Sequence, residues 1–491
     1  MQFTDFSFLF VFLPLSYLIY LLLNRMRLKT SALNFYLLLI SLLFYSAGGW
    51  TSLFILGFVL LWNWMCAGAI QYDYDHPENE STASQTAPDK AGAKQPLRAF
   101  LAMPNAKKTL WICIAVNILL LLVYKYIGVW IEELTGSTTF LSTFVMPVGL
   151  SFYIFSSISY VADVYMKKAA ACSLVDFGLF AAFFSRVNMG PIGHYAKFKD
   201  QLAYHPQTRR GKRYGAALFL QGLFFKVFLA DNLALVFSGL ENNSTWLGTW
   251  LLAISYMLEL YFDFAGYSRM ARGLASLFGF DIPANFDKPY MATSIQDFWR
   301  RWHISLTDWF REYIYIPLGG NRVSDKRWIL NLFVVWFLTG LWHGPTLSFM
   351  VWGLLQGALI LLEHQKLNAL LEKLPSFGRH VYVLLMAMIS WILFFSPSLL
   401  DGLQRIGRLF FIGIAGLANT QALFYLFHAP VLFAAAIFCA GSLPKKAANW
   451  ISRHIPLNKG LLGAFGYGLG FLLCLAMLIS QTSQAFLYTA F

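Results

Sequence analysis

Apolar runs recur from one end of the chain to the other, near residues 6–23, 34–47, 51–70, 109–128, 141–161, 214–238, 247–266, 329–342, 346–363, 380–396, 421–441 and 461–485. Most approach or exceed the roughly 18 residues that a helix needs to cross a bilayer. Inside hydrocarbon every backbone N–H and C=O must be paired within the protein, so only helices and closed barrels span it. The runs are too long and too continuous for the alternating strands of a barrel. The pattern predicts an all-α polytopic membrane protein with about 11–12 transmembrane helices, accompanied by short interfacial or re-entrant helices. The apolar stretch 174–184 is too short to cross comfortably and fits one of those shorter pieces.

Polar sequence breaks the pattern in two places. Residues 73–96 form a low-complexity insert that reads as a disordered cytosolic loop. Residues 268–328 are different in kind, rich in Trp, Phe, Tyr, Arg and Pro (DIPANFDKPYMATSIQDFWRRWHISLTDWFREYIYIPLGGNR over 281–322). Pro283, Pro289, Pro317 and the Gly319–Gly320 pair cut this region into short helices. Aromatic and basic amphipathic pieces of this type lie at a membrane surface or line a cavity, which predicts a cytosol-facing funnel. The whole of 1–491 reads as one membrane domain, with 400–491 contributing C-terminal helices. No internal repeat of the kind common in transporters is visible.

Charge adds orientation. Of the 491 residues, 58% are hydrophobic and 12% charged, about half the charged fraction of a soluble domain. The net charge of +13 marks loops facing the cytoplasm rather than a nucleic-acid partner. Basic loops carrying Arg25, Arg27 and Lys29, then Lys107 and Lys108, then Arg209, Arg210, Lys212 and Arg213, then Arg300 to Arg327, alternate with connections holding Glu132, Glu133 and Glu241 and no Lys or Arg. This alternation predicts a multi-pass protein with both termini on the periplasmic side of a bacterial cytoplasmic (inner) membrane. Arg405 and Arg408 in the connection 397–420 fit that scheme only if an interfacial helix lies there. The five cysteines show no CxxC or CxxH spacing, so neither a disulfide framework nor a metal site is expected. The start, MQFTDFSFLF, has no basic n-region and reads as the first spanning helix.

Candidate chemistry concentrates between Asp263 and His343. His343 stands in LTGLWHGPTLSFMVWG (338–353) between two apolar runs, with Trp342 before it and the breakers Gly344 and Pro345 after it. An ionisable side chain at such depth is costly and marks function by default. A neutral imidazole there suits a general base that takes the proton of a hydroxyl attacking an activated acyl group; alternatively it bonds a carbonyl at the helix break. His303, in FWRRWHISLTDWF, is either a second catalytic or donor-orienting group or an interfacial histidine. Its HxxxxD spacing to Asp308 carries no weight, because residues five apart point in different directions on a helix. Arg300, Arg301, Arg311 and Arg322 suit donor phosphates at a cytosolic mouth, or simply the positive-inside bias. Asp263, in ELYFDFAGYS, could orient a histidine, pair with an arginine or cap a helix. No GxSxG, Walker or HExxH motif is present. A direct transfer in which histidine deprotonates the acceptor needs none of these, only an activated donor such as a thioester.

Four stretches carry a resemblance: 146–165 (MPVGLSFYIFSSISYVADVY), 222–234 (GLFFKVFLADNLA), 261–322 and 338–357. Together they resemble the bacterial branch of the membrane-bound O-acyltransferases, the branch of alginate O-acetylation and, more distantly, of teichoic acid D-alanylation. The likeness covers residues 1–395 well and the remainder only by hydropathy. It implies helices around a central tunnel, with the WHG histidine, here His343, at the constriction, and a second histidine in the RRWHISL context, here His303. It implies an acyl group, acetyl above all, taken from a cytosolic thioester and passed toward a cell-envelope polysaccharide or a periplasmic acetyltransferase partner. The donor would be acetyl-CoA or another acyl thioester, with no tightly bound cofactor. FFSRVNMGPI (183–192) and WILFFSPS (391–398) depart from the family pattern, and both bear on the acceptor side. The competing expectation is a polytopic transporter or polysaccharide-export component whose buried histidines relay protons; the missing repeat and the long aromatic-basic insert favour the enzyme.

Overall fold

The structure, a computed structural model, describes residues 1–77, 105–136, 145–454, 459–480, 486 and 487. The predicted loop at 73–96 lies mostly outside these residues. The described chain is helical, and no strand occurs in it. Contacts divide it into two compact units, one formed by Met1 and Ser7–Pro206, the other by Gln2–Phe6 and Gln207–Phe491.

The first unit holds α1 (Phe8–Arg25), α2 (Thr30–Ser46), α3 (Trp50–Asp75), α4 (Asn105–Glu132), α5 (Leu150–Tyr165), α6 (Leu174–Ala182) and α7 (Tyr195–Ala203). Several of its buried polar groups are paired across helices, as a lipid-solvated interior favours. Asn63 and Asn117 exchange side-chain hydrogen bonds at 3.1 and 3.0 Å between α3 and α4. Asn34 of α2 donates to Asp176 of α6 and to the Leu202 carbonyl, and its oxygen faces His205. Arg186, one of the departures from the family pattern, is buried. It donates to the Phe180 carbonyl and lies over the rings of Phe180 and Phe198 at 4.6 and 4.7 Å. The apolar stretch 174–184 forms the nine-residue α6, too short to cross a membrane.

The second unit begins with α8 (Arg209–Leu240) and α9 (Trp246–Leu277). These two helices pack at backbone distance through four glycines. A Cβ on Gly215 or Gly222 would lie 2.6 or 2.5 Å from the carbonyl oxygen of Gly273 or Gly266, and the reverse substitutions meet the same wall. The pairs 215/273 and 222/266 share one antiparallel register, seven residues apart on each helix. Without a hydrophobic drive between helices in lipid, such close approach supplies the packing. After α9 come a short turn at Pro289–Met291, α10 (Ile295–Arg301) and α11 (Ile304–Phe310). The chain then turns through Gly319 and Gly320, both at positive φ (103° and 57°), into α12 (Asp325–His343). Next are α13 (Leu347–Leu371), α14 (Ser376–Phe395) and α15 (Leu399–Leu409). The proline and glycine cuts expected in 268–328 therefore fall where the short helices end.

Among the described residues, seven helices are long and apolar enough to cross a membrane, fewer than the 11–12 expected, or up to eight when α16 (Thr420–His428) and α17 (Pro430–Ala440) are counted as one broken span. The shortfall has physical causes. Runs 34–47 and 141–161 fall on helices of only 17 and 16 residues. α9 carries Glu259 and Asp263 inside its apolar stretch, and α12 opens with Asp325, Lys326 and Arg327. The expected single helix at 421–441 bends by 57° before Pro430, which has no N–H to continue the ladder. The connection 397–420 does hold a helix, α15. Its Leu400 and Leu403 face outward while Arg405 is buried, bonded to Asp401 and to the Glu241 carbonyl. α18 (Leu443–His454) and α19 (Lys459–Ser480) are the last helices described.

An ion cluster ties α8 to α9. Lys226 Nζ lies 2.7 Å from Asp263 and 2.8 Å from Asp231, all three side chains nearly sealed from solvent. It sits in a π-helical turn, Phe225–Ala230. The Phe486 ring covers the ammonium at 4.5 Å, and the Leu487 N–H donates to Asp263 at 3.0 Å. Removing the cation would strand two buried carboxylates. Lys226→Met is expected to cost about 3–5 kcal/mol, read as a clear drop in the thermal midpoint of detergent-purified protein; an unchanged midpoint would show that the cluster contributes no net stability.

Candidate functional site

Of the candidates, His303, Trp342 and His343 come together in the second unit, around the junction of α12 and α13. α12 and α13 meet at backbone distance through Gly340 and Gly353, where a Cβ on Gly353 would fall 3.0 Å from Gly340. His343 is the last residue of α12. Gly344 follows in extended conformation, so the helix stops there and α13 starts four residues after His343. Only 3% of His343 is exposed, so its ring does not face lipid. It packs among Trp342 (4.8 Å between ring centres), Phe394 of α14 (5.0 Å) and Trp352 of α13 (5.1 Å).

His303 caps the start of α11 with φ of 42°, a left-handed conformation that a side-chain-bearing residue adopts at a cost. Its Nδ1 is 3.1 Å from Asn285 Oδ1. Its ring stands edge-on to Phe264 of α9 at 4.7 Å and meets Trp342 at 6.2 Å. Trp342 is therefore in ring contact with both histidines. His303 lies outside the spanning helices, and burial pushes its imidazole down to about 3, so the ring is neutral at working pH.

α10 reaches this place because its start is held twice. Ser294 accepts from the Asp297 N–H, the standard N-cap. Glu363, on a π-helical turn of α13, accepts the N–H groups of Ile295 at 2.7 Å and Gln296 at 3.2 Å. One turn-set earlier on α13, Gln356 accepts from Trp299 Nε1. With α10 fixed against α13, Trp299 and Trp302 join Trp352 and Trp391 in one aromatic wall: Trp299–Trp352 5.8 Å, Trp302–Trp391 4.8 Å, Trp352–Trp391 5.9 Å. The indole N–H groups of Trp352 and Trp391 and the Ser348 hydroxyl are buried with no hydrogen-bond partner. Buried donors of this kind suit an incoming carbonyl or hydroxyl oxygen.

The other candidates from the sequence are placed as follows. Asp263 lies inside α9 and spends its carboxylate on Lys226 and Leu487. Arg301 is engaged by Asp297 at 2.9 Å and Asp287 at 3.9 Å. Arg300, Arg311 and Arg322 are exposed along the insert. A separate surface cavity of about 630 Å³ is lined by Arg209, Arg210, Arg213 and Tyr214 at the start of α8. Among the described residues no cluster of three His, Cys, Asp or Glu is arranged to hold a metal. Sequence reasoning missed Asn285, Trp352, Gln356, Glu363, Trp391 and Phe394. Glu363 gave a usable signal, an acid closing an apolar run. The tryptophans gave none, since aromatic residues are frequent throughout.

The membrane-bound O-acyltransferase family matches residues 165–400, which include both histidines, the insert and the aromatic wall. A probable alginate O-acetylase AlgI of Pseudomonas putida is 34% identical over 433 residues, 84% of this chain and 81% of that protein. The corresponding protein of Pseudomonas syringae pv. tomato is 38% identical over 321 residues, 63% of this chain; the match spans only 61% of that relative's length. A peptidoglycan O-acetyltransferase of Helicobacter pylori is 31% identical over 387 residues, 71% of this chain and 68% of that protein. With the multi-pass helical architecture, these likenesses establish that the chain belongs to the membrane-bound O-acyltransferase family.

Proposed function

We propose that the chain moves an acetyl group from a cytosolic thioester, acetyl-CoA in the simplest case, across the inner membrane to a hydroxyl of a cell-envelope polysaccharide or to a periplasmic acetyltransferase partner. The observation that carries this reading is the placement of two buried histidines on one tryptophan, at a helix break walled by aromatic rings. Relatives named for alginate and peptidoglycan O-acetylation support acetyl as the group and a glycan as the final acceptor.

In this reading His343 takes the proton of the attacking hydroxyl while its oxygen bonds to the thioester carbonyl carbon. Collapse of the tetrahedral intermediate breaks the C–S bond. The proton held on the imidazole then neutralises the thiolate, so the ester and the free thiol leave with no net change in protons. The unpaired indole and hydroxyl donors of Trp352, Trp391 and Ser348 would stabilise the developing oxyanion. His303 is the second proton-handling group beside them. Donor phosphates would meet the exposed arginines of the insert, Arg300, Arg311 and Arg322, on the cytosolic side. Both termini would then be periplasmic, following the loop charges.

His343→Ala is expected to lower acetyl transfer by about 100-fold or more, measured as ester-linked acetyl in the envelope with protein level checked by immunoblot. Acetylation at the wild-type level would remove His343 from the chemistry. The direction of transfer is tested with vesicles of known sidedness: radiolabelled acetyl-CoA supplied to the cytosolic face is expected to yield labelled product. Label incorporated only from the periplasmic face would reverse the proposed direction.

A further inference from the structure

The geometry points to Asn285 as a positioning residue that holds His303 as a proton acceptor, with Nε2 as the nitrogen offered to the substrate; this rests on the use of His303 in acyl transfer put forward above. The deduction starts from a group whose role is not adjustable. The main-chain N–H of Ser305 can only donate, and it lies 3.1 Å from the Asn285 side-chain atom placed as Oδ1. That atom is therefore the amide oxygen and not the amide nitrogen. The remaining contacts agree. Ser305 Oγ donates to the same oxygen at 2.9 Å, and Asn285 Nδ2 donates to Ser268 Oγ at 3.3 Å.

The identity of the oxygen decides the histidine. His303 Nδ1 is 3.1 Å from it, and two facing lone pairs would repel, so Nδ1 carries the proton. A neutral imidazole has one N–H, which leaves Nε2 with the lone pair. The main chain fixes the same arrangement: the Ile304 N–H donates to the Asn285 carbonyl at 3.0 Å. Three successive residues, 303 to 305, are thus bonded to one asparagine, and these bonds hold His303 in its left-handed conformation. Asn285, His303 and Ser268 are all nearly fully buried, which keeps water from competing for these bonds. Among the groups meeting His303 are Phe264 of α9, Asn285, and Trp342 of α12. In this state His303 accepts a hydrogen bond from a substrate hydroxyl or amide N–H. It cannot donate to a carbonyl oxygen, so it is not an oxyanion donor.

The tautomer is read directly by 15N NMR of histidine-labelled protein, with His303→Gln identifying the signal. The expected spectrum has a protonated Nδ1 and a non-protonated Nε2; a protonated Nε2 overturns the proposal. Two variants test the catalytic consequence. Asn285→Asp keeps the acceptor for Nδ1–H and the Ser305 N–H but adds a negative charge, which raises the proton affinity of the imidazole. The acidic limb of the kcat–pH profile should then move up by about one unit or more. Asn285→Ala removes the acceptor and should lower kcat by about 10-fold or more with the donor KM unchanged. A profile of Asn285→Asp that superimposes on wild type, or wild-type kcat in Asn285→Ala, overturns the assignment. Should Asn285→Ala fail to fold, the near-isosteric Asn285→Asp still decides. Full activity in His303→Gln would instead sink the catalytic reading of His303, and the wild-type spectrum separates that failure from an error about Asn285.

Discussion

A carboxylate on one spanning helix holds the start of another helix, and the site depends on it. Glu363 of α13 takes the first two N–H groups of α10, groups that every helix leaves unpaired at its beginning and that would be expensive to bury alone. Gln356 on the same helix takes the indole N–H of Trp299. These bonds set the insert against α13, and the insert delivers Trp299, Trp302 and His303. α13 in turn is packed through Gly353 onto α12, which ends in His343. Two histidines forty residues apart therefore become neighbours of one tryptophan through a short chain of polar contacts.

The environments of the two histidines differ in kind. His343 is described by rings: Trp342, Trp352 and Phe394 surround it. His303 is tied by its Nδ1 to an amide. An imidazole bonded to an amide oxygen has its proton located. In the reaction proposed above, the aromatic rings beside the two histidines would keep water from the thioester.

Much of the fold was legible in the sequence because lipid leaves few alternatives. Apolar runs had to be helices, and the prolines and glycines of 268–328 had to cut it into short pieces. The number of spans was not legible to the same degree. Length and hydropathy do not register that an apolar-looking run such as 247–266 carries an ion cluster, or that Pro430 turns one run into two bent helices. The two histidines were legible because a buried ionisable group is rare enough to be noticed. Their partners were not, since Asn285 and Glu363 act on backbone groups distant in sequence, and no local pattern records which N–H a side chain will meet. Asp263 shows the same limit: its charge was visible, its lysine partner 37 residues earlier was not.

The paired glycines of α8 and α9 have a mechanical consequence. With carbonyl oxygens from one helix seated where side chains would be on the other, there is no cushion of flexible atoms between them, and a cross-brace of Lys226 and Asp263 locks the same face. Such a pair neither slides nor rolls; it behaves as a single beam. In the reaction proposed above, any motion that admitted a substrate would therefore have to come from parts hinged to that beam, and not from the beam itself.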